Sequence, residues 1–307
     1  MAVIEGLVSL LLCSVIIVVC VVAAIVLIVV KEGSSYSSAV YTDNLWKPSC
    51  TSVHPFWLLA FRFLAFLYSS TILVTDTIVS GFGIFYFYTQ WSFVLLITYF
   101  GIATVVSALA ASRSRLSGTP FSKSESAVGL IKGFYNGSGD VESKNTIATL
   151  QMYWETVFAQ DEELASYWGF LMQIIFQSVA GAAVLTDAVY WLGLFPFMKD
   201  LPRSYDFLEI NLHGMNVVFI LVDMMLNRMS FPWYRGAYFT LWTAVYVLFQ
   251  WSVHALGVQW WPYPFLDPTQ KYAPIWYLVL CGAHVVCYGL MWGLASLKHR
   301  FGDCFCN

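Results

Sequence analysis

Apolar residues run along this chain in long blocks rather than at the alternating or threefold spacings of a soluble fold. A helix that crosses a bilayer needs about 20 mostly apolar residues. Seven stretches qualify, approximately 6–30, 56–81, 84–112, 165–195, 210–230, 236–258 and 274–297. The pattern predicts an all-α, polytopic transmembrane helical bundle. It consists of a six-helix core over 56–297 and one extra N-terminal transmembrane helix over 1–30. A loop over 31–55, a longer loop over 113–164 and a tail over 298–307 connect and end these elements. The first stretch far exceeds the roughly 7–15 apolar residues of a signal core, so it reads as a retained helix. It is almost free of polar residues after Glu5, which predicts a peripheral position.

The informative residues are the polar ones inside these blocks. In the fifth block His213, Asn216, Asp223 and Asn227 stand at offsets 0, 3, 10 and 14, with Ile220 at 7. At 3.6 residues per turn they form one stripe. Lipid offers such a stripe no partners, so it must face other helices or a wet cavity. We expect it to line a site. Thr89, His213, His254, Asp187 and Asp76 all fall near the same membrane face, with His284 deeper. This placement predicts a polar pocket in that half of the bilayer.

Thr89 sits in Phe87-Tyr88-Thr89-Gln90-Trp91-Ser92, with Ser92 and Tyr99 on its helical face. A Thr hydroxyl becomes a nucleophile only when a base takes its proton, and His213 lies at similar depth on another helix. The plainer reading is that an intramembrane Thr bonds its own i−4 carbonyl. His254 shares a face with Tyr246 and Gln250, as a pocket wall or a structural residue. For His284 a structural role is expected. Arg62 is expected to snorkel to lipid phosphate. Gly289-x-x-x-Gly293 is expected to serve close helix packing.

Composition narrows the class. Of 307 residues, 59% are hydrophobic and 11% charged, and the mean hydropathy is +0.69. Soluble domains carry about 25% charged residues. With a net charge of -3 and no basic cluster, nothing points to nucleic acid. Eleven Lys and Arg flank the spans on one side and three on the other. That asymmetry places the C-terminus and the long loop in the cytosol and the N-terminus outside, in the endoplasmic reticulum or the plasma membrane. The long loop is rich in Ser, Gly and Lys as far as Lys144 and helical in composition over Thr146 to Glu163. It carries the sequon at Asn136 and the serines Ser122, Ser124 and Ser126, which read first as a solvated linker. The seven cysteines include no CxxC pair and are odd in number, so neither a zinc site nor a disulfide framework is indicated. Cys304 and Cys306, beside Lys298 and Arg300, are plausible palmitoylation positions.

Several stretches together resemble one family. They are Tyr88-Thr89-Gln90-Trp91 opening the third block, the His213–Asp223 helix and the segment Tyr263-Pro264-Phe265-Leu266. In order and spacing they resemble the androgen-induced-gene and rolling-stone-like membrane proteins. The run from Phe231-Pro232-Trp233-Tyr234-Arg235 to Trp261-Pro262-Tyr263-Pro264-Phe265 is most similar to the plant rolling-stone-like branch. The resemblance covers roughly 56–297; the extra N-terminal span and the long loop depart from it. It implies hydrolysis of fatty acid esters of hydroxy fatty acids by a Thr nucleophile and a His base, here Thr89 and His213. On that reading Asn216 is the oxyanion donor expected beside His213. Ser92, Gln90, Asp223 and His254 complete the pocket, and Asp187 or Asp76 orients the His. Membrane lipids are the expected substrate or ligand, and no cofactor or metal is required. Two other classes stand beside it. One is a non-catalytic scaffold, transporter, fusion or lipid-binding protein. The other is a metal-dependent hydrolase built on His213, His254 and His284 with a carboxylate.

Overall fold

The computed structural model describes residues 2–33, 42–50, 52–116, 167–197 and 206–305. The expectations for Asn136, Ser122, Ser124, Ser126 and the helix from Thr146 lie outside the described residues. So do those for the side chains of Cys304 and Cys306.

The fold is an all-α bundle. Among the described residues, six helices are long and apolar enough to cross a membrane. In chain order the helices are α1 (Ala2–Glu32), α2 (Thr42–Trp46), α3 (Pro55–Ser80), α4 (Tyr88–Leu116) and α5 (Tyr167–Ala188). They are followed by α6 (Asp206–Ile210), α7 (Asn216–Leu226), α8 (Gly236–Ala255) and α9 (Ala273–Phe305). Two of the six spans are composite: α5 runs on into a wide π-type turn, Val189–Leu194, and α6 leads into α7 through another, Asn211–Met215. The 20-residue α8 is the expected sixth block; with its Tyr, Trp, Gln and His residues it is not among those six. The two aromatic-proline segments, Phe195–Phe197 and Pro264–Leu266, both form single 3₁₀ turns.

Helix α5 is the most buried span, with α4 on one side and α8 and α9 on the other; α3 packs along α4. Small residues allow this closeness. A Cβ added at Gly181 would come within 2.7 Å of the Phe239 ring on α8. The N-terminal helix α1 is peripheral, as expected, and packs on α8 and α9. It is fastened at both ends. Ser9 donates to the Gln270 carbonyl at 2.7 Å, and Glu32 accepts from Arg235 at 2.6 Å. Arg235 also donates to Gln173 Oε1 at 2.7 Å, which ties this anchor to α5.

Arg62 does not snorkel to lipid. It is fully buried and donates to Asp223 at 2.8 Å, to the Leu45 carbonyl at 2.7 Å and to Ser107 Oγ at 2.7 Å. Tyr99 and Asn227 donate to the same Asp223 carboxylate. A lone guanidinium could reach the interface, but one with a carboxylate partner in the bundle is held there by charge-assisted hydrogen bonds. The Gly289-x-x-x-Gly293 pair also departs from expectation. A Cβ at either glycine meets nothing within 4 Å, so among the described residues no helix packs closely against the pair. Cys50 is disulfide-bonded, a pairing that the odd cysteine count did not suggest.

Candidate functional site

The polar stripe faces inward: His213, Asn216, Ile220, Asp223 and Asn227 are all buried. It does not line one site. The backbone breaks at His213, where φ is −122° and ψ 31° inside the π-type turn. Such wide turns are frequent at functional sites because they re-aim a side chain out of the helical register. The carbonyl freed by this break accepts from the Trp191 indole at 2.5 Å, which comes from the π-type turn at the end of α5. The two irregular segments therefore complete each other's hydrogen bonding. Ten residues on, about 15 Å along the axis, Asp223 and Asn227 belong to the Arg62 cluster near the other membrane face. Asp223 is a structural anion, not a pocket residue.

His213 and Thr89 line one small cavity of about 60 Å³. Its other polar walls include Tyr190, Thr243, Tyr263 and His284. Tyr190 stacks on the His213 ring, with centroids 3.8 Å apart and planes 5° from parallel. His213 Nε2 stands 3.5 Å from Glu209 Oε2. His213 Nδ1 is buried with no hydrogen-bond partner. Glu209 stands close enough to attract an imidazolium, and the unpartnered Nδ1 is the ring nitrogen left to act as a base.

Thr89 lies in the first turn of α4, buried. Tyr263 lines the same cavity, and its hydroxyl is influenced by the Thr89 hydroxyl and by the backbone N–H groups of Tyr88 and Thr89. Those N–H groups have no partner within a helix that begins at Tyr88, so the Tyr263 oxygen occupies the positive end of the helix. Burial pushes the Tyr263 hydroxyl up to about 12, and the bonds from Thr89 and Tyr88 oppose that rise. The turn before α4 is held by Tyr246 and Gln250, which both donate to the Tyr86 carbonyl, at 2.9 and 2.5 Å.

A second hydroxyl–imidazole pair shares the cavity. His284 Nδ1 bonds the Leu280 carbonyl at 2.7 Å, so it carries the proton and leaves Nε2 to accept from Thr243 Oγ1 at 2.8 Å. The Tyr88 hydroxyl is 2.8 Å from Thr243 Oγ1 and completes the chain.

The remaining expected pocket residues are committed elsewhere. Asn216 donates to Asp187 at 2.8 Å and accepts from the Val217 N–H at 2.7 Å. Neither Asn216 nor Asp187 lines the cavity, so the oxyanion and orienting roles do not fall to them. Asp76 accepts from Gln90 at 3.0 Å and from Ser80 at 2.9 Å, and neither Asp76 nor Gln90 lines the cavity. Ser92 supports the cavity from behind, 3.1 Å from the Thr186 hydroxyl and bonded to the Tyr88 and Thr89 carbonyls. His254 stacks on Trp261 at 4.1 Å and does not line the cavity. Among the described residues, no three His, Cys, Asp or Glu side chains gather as a metal site would require, so the His213, His254 and His284 set does not assemble.

Sequence reasoning missed Glu209, although its spacing of four from His213 on one helix was a readable signal. It also missed Tyr190, whose stacking depends on a π-type turn that no periodicity announces. No family model matches the chain, and no curated protein or solved structure matches it.

Proposed function

We propose that this protein is an intramembrane lipid ester hydrolase with Thr89 as nucleophile and His213 as base. The observation that carries the reading is a buried Thr and a buried His with an unpartnered Nδ1 on the walls of one small cavity. His213 Nδ1 takes the Thr89 proton as the oxygen attacks the ester carbonyl. The resulting oxyanion is met by the Tyr263 hydroxyl and the backbone N–H groups that open α4. Collapse breaks the ester C–O bond, His213 returns the proton to the leaving alcohol, and an acyl-Thr remains. A water deprotonated by His213 then attacks it, releasing the fatty acid and restoring the Thr hydroxyl. Glu209 steadies the imidazolium formed in each half.

The Thr243–His284 pair supports a second assignment of nucleophile and base, because it is already hydrogen-bonded at 2.8 Å. One experiment separates the two. Purified protein is treated with a fluorophosphonate probe, and the adduct is located by mass spectrometry in wild type, Thr89→Ala, His213→Ala and Thr243→Val. A label on Thr89, lost in the first two variants and kept in the third, supports the proposal. A label on Thr243 transfers the mechanism to the second pair. No label on folded protein favours a non-catalytic lipid-binding role.

We assign the C-terminal side to the cytosol on the Lys and Arg excess. The disulfide at Cys50 pulls the other way, since cytosolic thiols are kept reduced. The sequon at Asn136 decides, because its glycosylation in microsomes would reverse the assignment.

A further inference from the structure

A second cavity of about 480 Å³ lies between α1, α8 and α9. It shares a wall with the polar cavity: Thr243, Val247, Leu266, Leu280 and His284 line both. From that wall it extends toward the opposite membrane face, as far as Leu27 on α1 and Trp292 on α9. Its lining on α1 runs from Ile16 to Leu27, about 16 Å of helix. On α9 it runs from Tyr277 to Trp292, about 22 Å. These lengths exceed half of a hydrocarbon layer of roughly 30 Å. The walls are mainly aliphatic, aromatic and small side chains. Gly289 contributes to the floor, and a Cβ there would meet only open space.

We infer that this chamber holds the long acyl chain of the lipid whose ester group sits in the polar cavity. The inference rests on the hydrolase reading for the ester and on three further observations for the chain. The chamber lies within the membrane-spanning helices, where the surrounding solvent is hydrocarbon. Walls with so few polar groups offer water nothing, and the cavity opens sideways past the exposed Val285 and Trp292, so a lipid chain can enter it from the bilayer. The volume corresponds to on the order of sixteen methylenes, if each takes a share similar to the roughly 30 Å³ of a liquid water. One long chain therefore fits, with its carbonyl end at Thr243 and His284 and its methyl end toward Trp292. The helix α1, outside the six-helix core, thus forms one side of the substrate site and sets the chain length accepted.

The test is photo-crosslinking of full-length protein in nanodiscs with a palmitic acid analogue bearing a mid-chain diazirine. Adducts are mapped in wild type, Thr89→Ala, Ala23→Trp and Gly289→Phe. Ala23 and Gly289 line the chamber from different helices, and the first atom of a side chain added at Gly289 meets open space. The expected adducts lie on chamber residues of α1 and α9, persist in Thr89→Ala, compete with unlabelled palmitate and are lost in both filling variants. If hydrolysis is present, the filling variants shift its preference to shorter chains. Adducts confined to lipid-facing residues such as Val18 and Val22, or labelling unchanged by both filling variants, would overturn the chamber. Chamber labelling without hydrolysis retains the acyl site and removes the hydrolase. Hydrolysis whose chain preference ignores both filled variants does the reverse.

Discussion

The Arg62–Asp223 pair offers the sharpest quantitative expectation. Both side chains are fully buried, and their oxygens and nitrogens meet at 2.8 and 3.4 Å. Arg62→Met removes the countercharge of a carboxylate that has no access to water. Tyr99 and Asn227 remain as donors, while the Leu45 carbonyl and the Ser107 hydroxyl each lose the Arg62 donor. Breaking a buried ion pair on one side costs about 3–5 kcal/mol. Asp223→Leu strands the guanidinium and costs a similar amount, with a share from the unpaired Tyr99 hydroxyl. The double variant removes both charges, so its cost falls below the sum of the singles by about 1–3 kcal/mol. The assay is reversible unfolding in mixed detergent micelles, with all four proteins at one detergent mole fraction. Strictly additive costs would refute the reasoning, because they would mean that the two charges do not sense each other. So would an Arg62→Met variant within about 0.5 kcal/mol of wild type, the usual range for surface changes.

Other expectations follow from the same geometry. Glu209→Gln keeps the shape but removes the charge that steadies His213; it lowers kcat more than KM, whereas Asp187→Asn, outside the cavity, leaves kcat near wild type in the same hydrolysis assay. Gly181→Ala forces a Cβ to 2.7 Å from Phe239 and destabilises by about 1–3 kcal/mol, read as a lower unfolding midpoint. Asp267 lies in the loop before α9; burial alone would raise its carboxyl, but donors on Thr269 and Gln270 and the nearby His254 bring it below the ordinary 3.8. A depressed carboxyl contributes stability above the unfolded value and loses it as pH falls through the folded one. Protection of the Thr269 amide from hydrogen exchange should therefore hold at pH above about 4 and fall below that, with Asp267→Asn showing no such step. Cys20 and Cys281 have sulfurs 3.4 Å apart. Copper-phenanthroline oxidation of a Cys50→Ser variant, which lacks the disulfide at Cys50, should join α1 to α9, so that fragments cut in the 113–164 loop separate on gels only after reduction.

Fold and site were legible to different extents. Span positions came directly from apolar run length: the blocks near 6–30 and 56–81 correspond to Ala2–Glu32 and Pro55–Ser80. Bilayer thickness fixes how long an apolar run must be, and nothing tertiary competes with it. The stripe on the fifth block was also readable as buried, because lipid cannot satisfy polar groups. Its division into two sites was not. Periodicity assumes an unbroken helix, and the break at His213 turns that ring away from Asn216 into a different neighbourhood. Partners at large sequence separation were equally hidden. Nothing in the local pattern of Arg62 indicates a carboxylate 161 positions later, and an isolated arginine near a span end reads as a snorkelling one.

The sequence alone thus determined the all-α class, the positions of the long spans and the burial of the polar stripe, through the free energy of moving apolar and polar groups between water and hydrocarbon. Only the tertiary structure decided which inward polar residues meet. It set Thr89 and His213 on one cavity, gave Asp187 to Asn216 and placed Glu209 beside the imidazole. Those choices depend on helix crossings and on two wide turns, where side-chain packing shifts backbone register by a fraction of a turn. A transfer free energy read along the chain does not contain that shift.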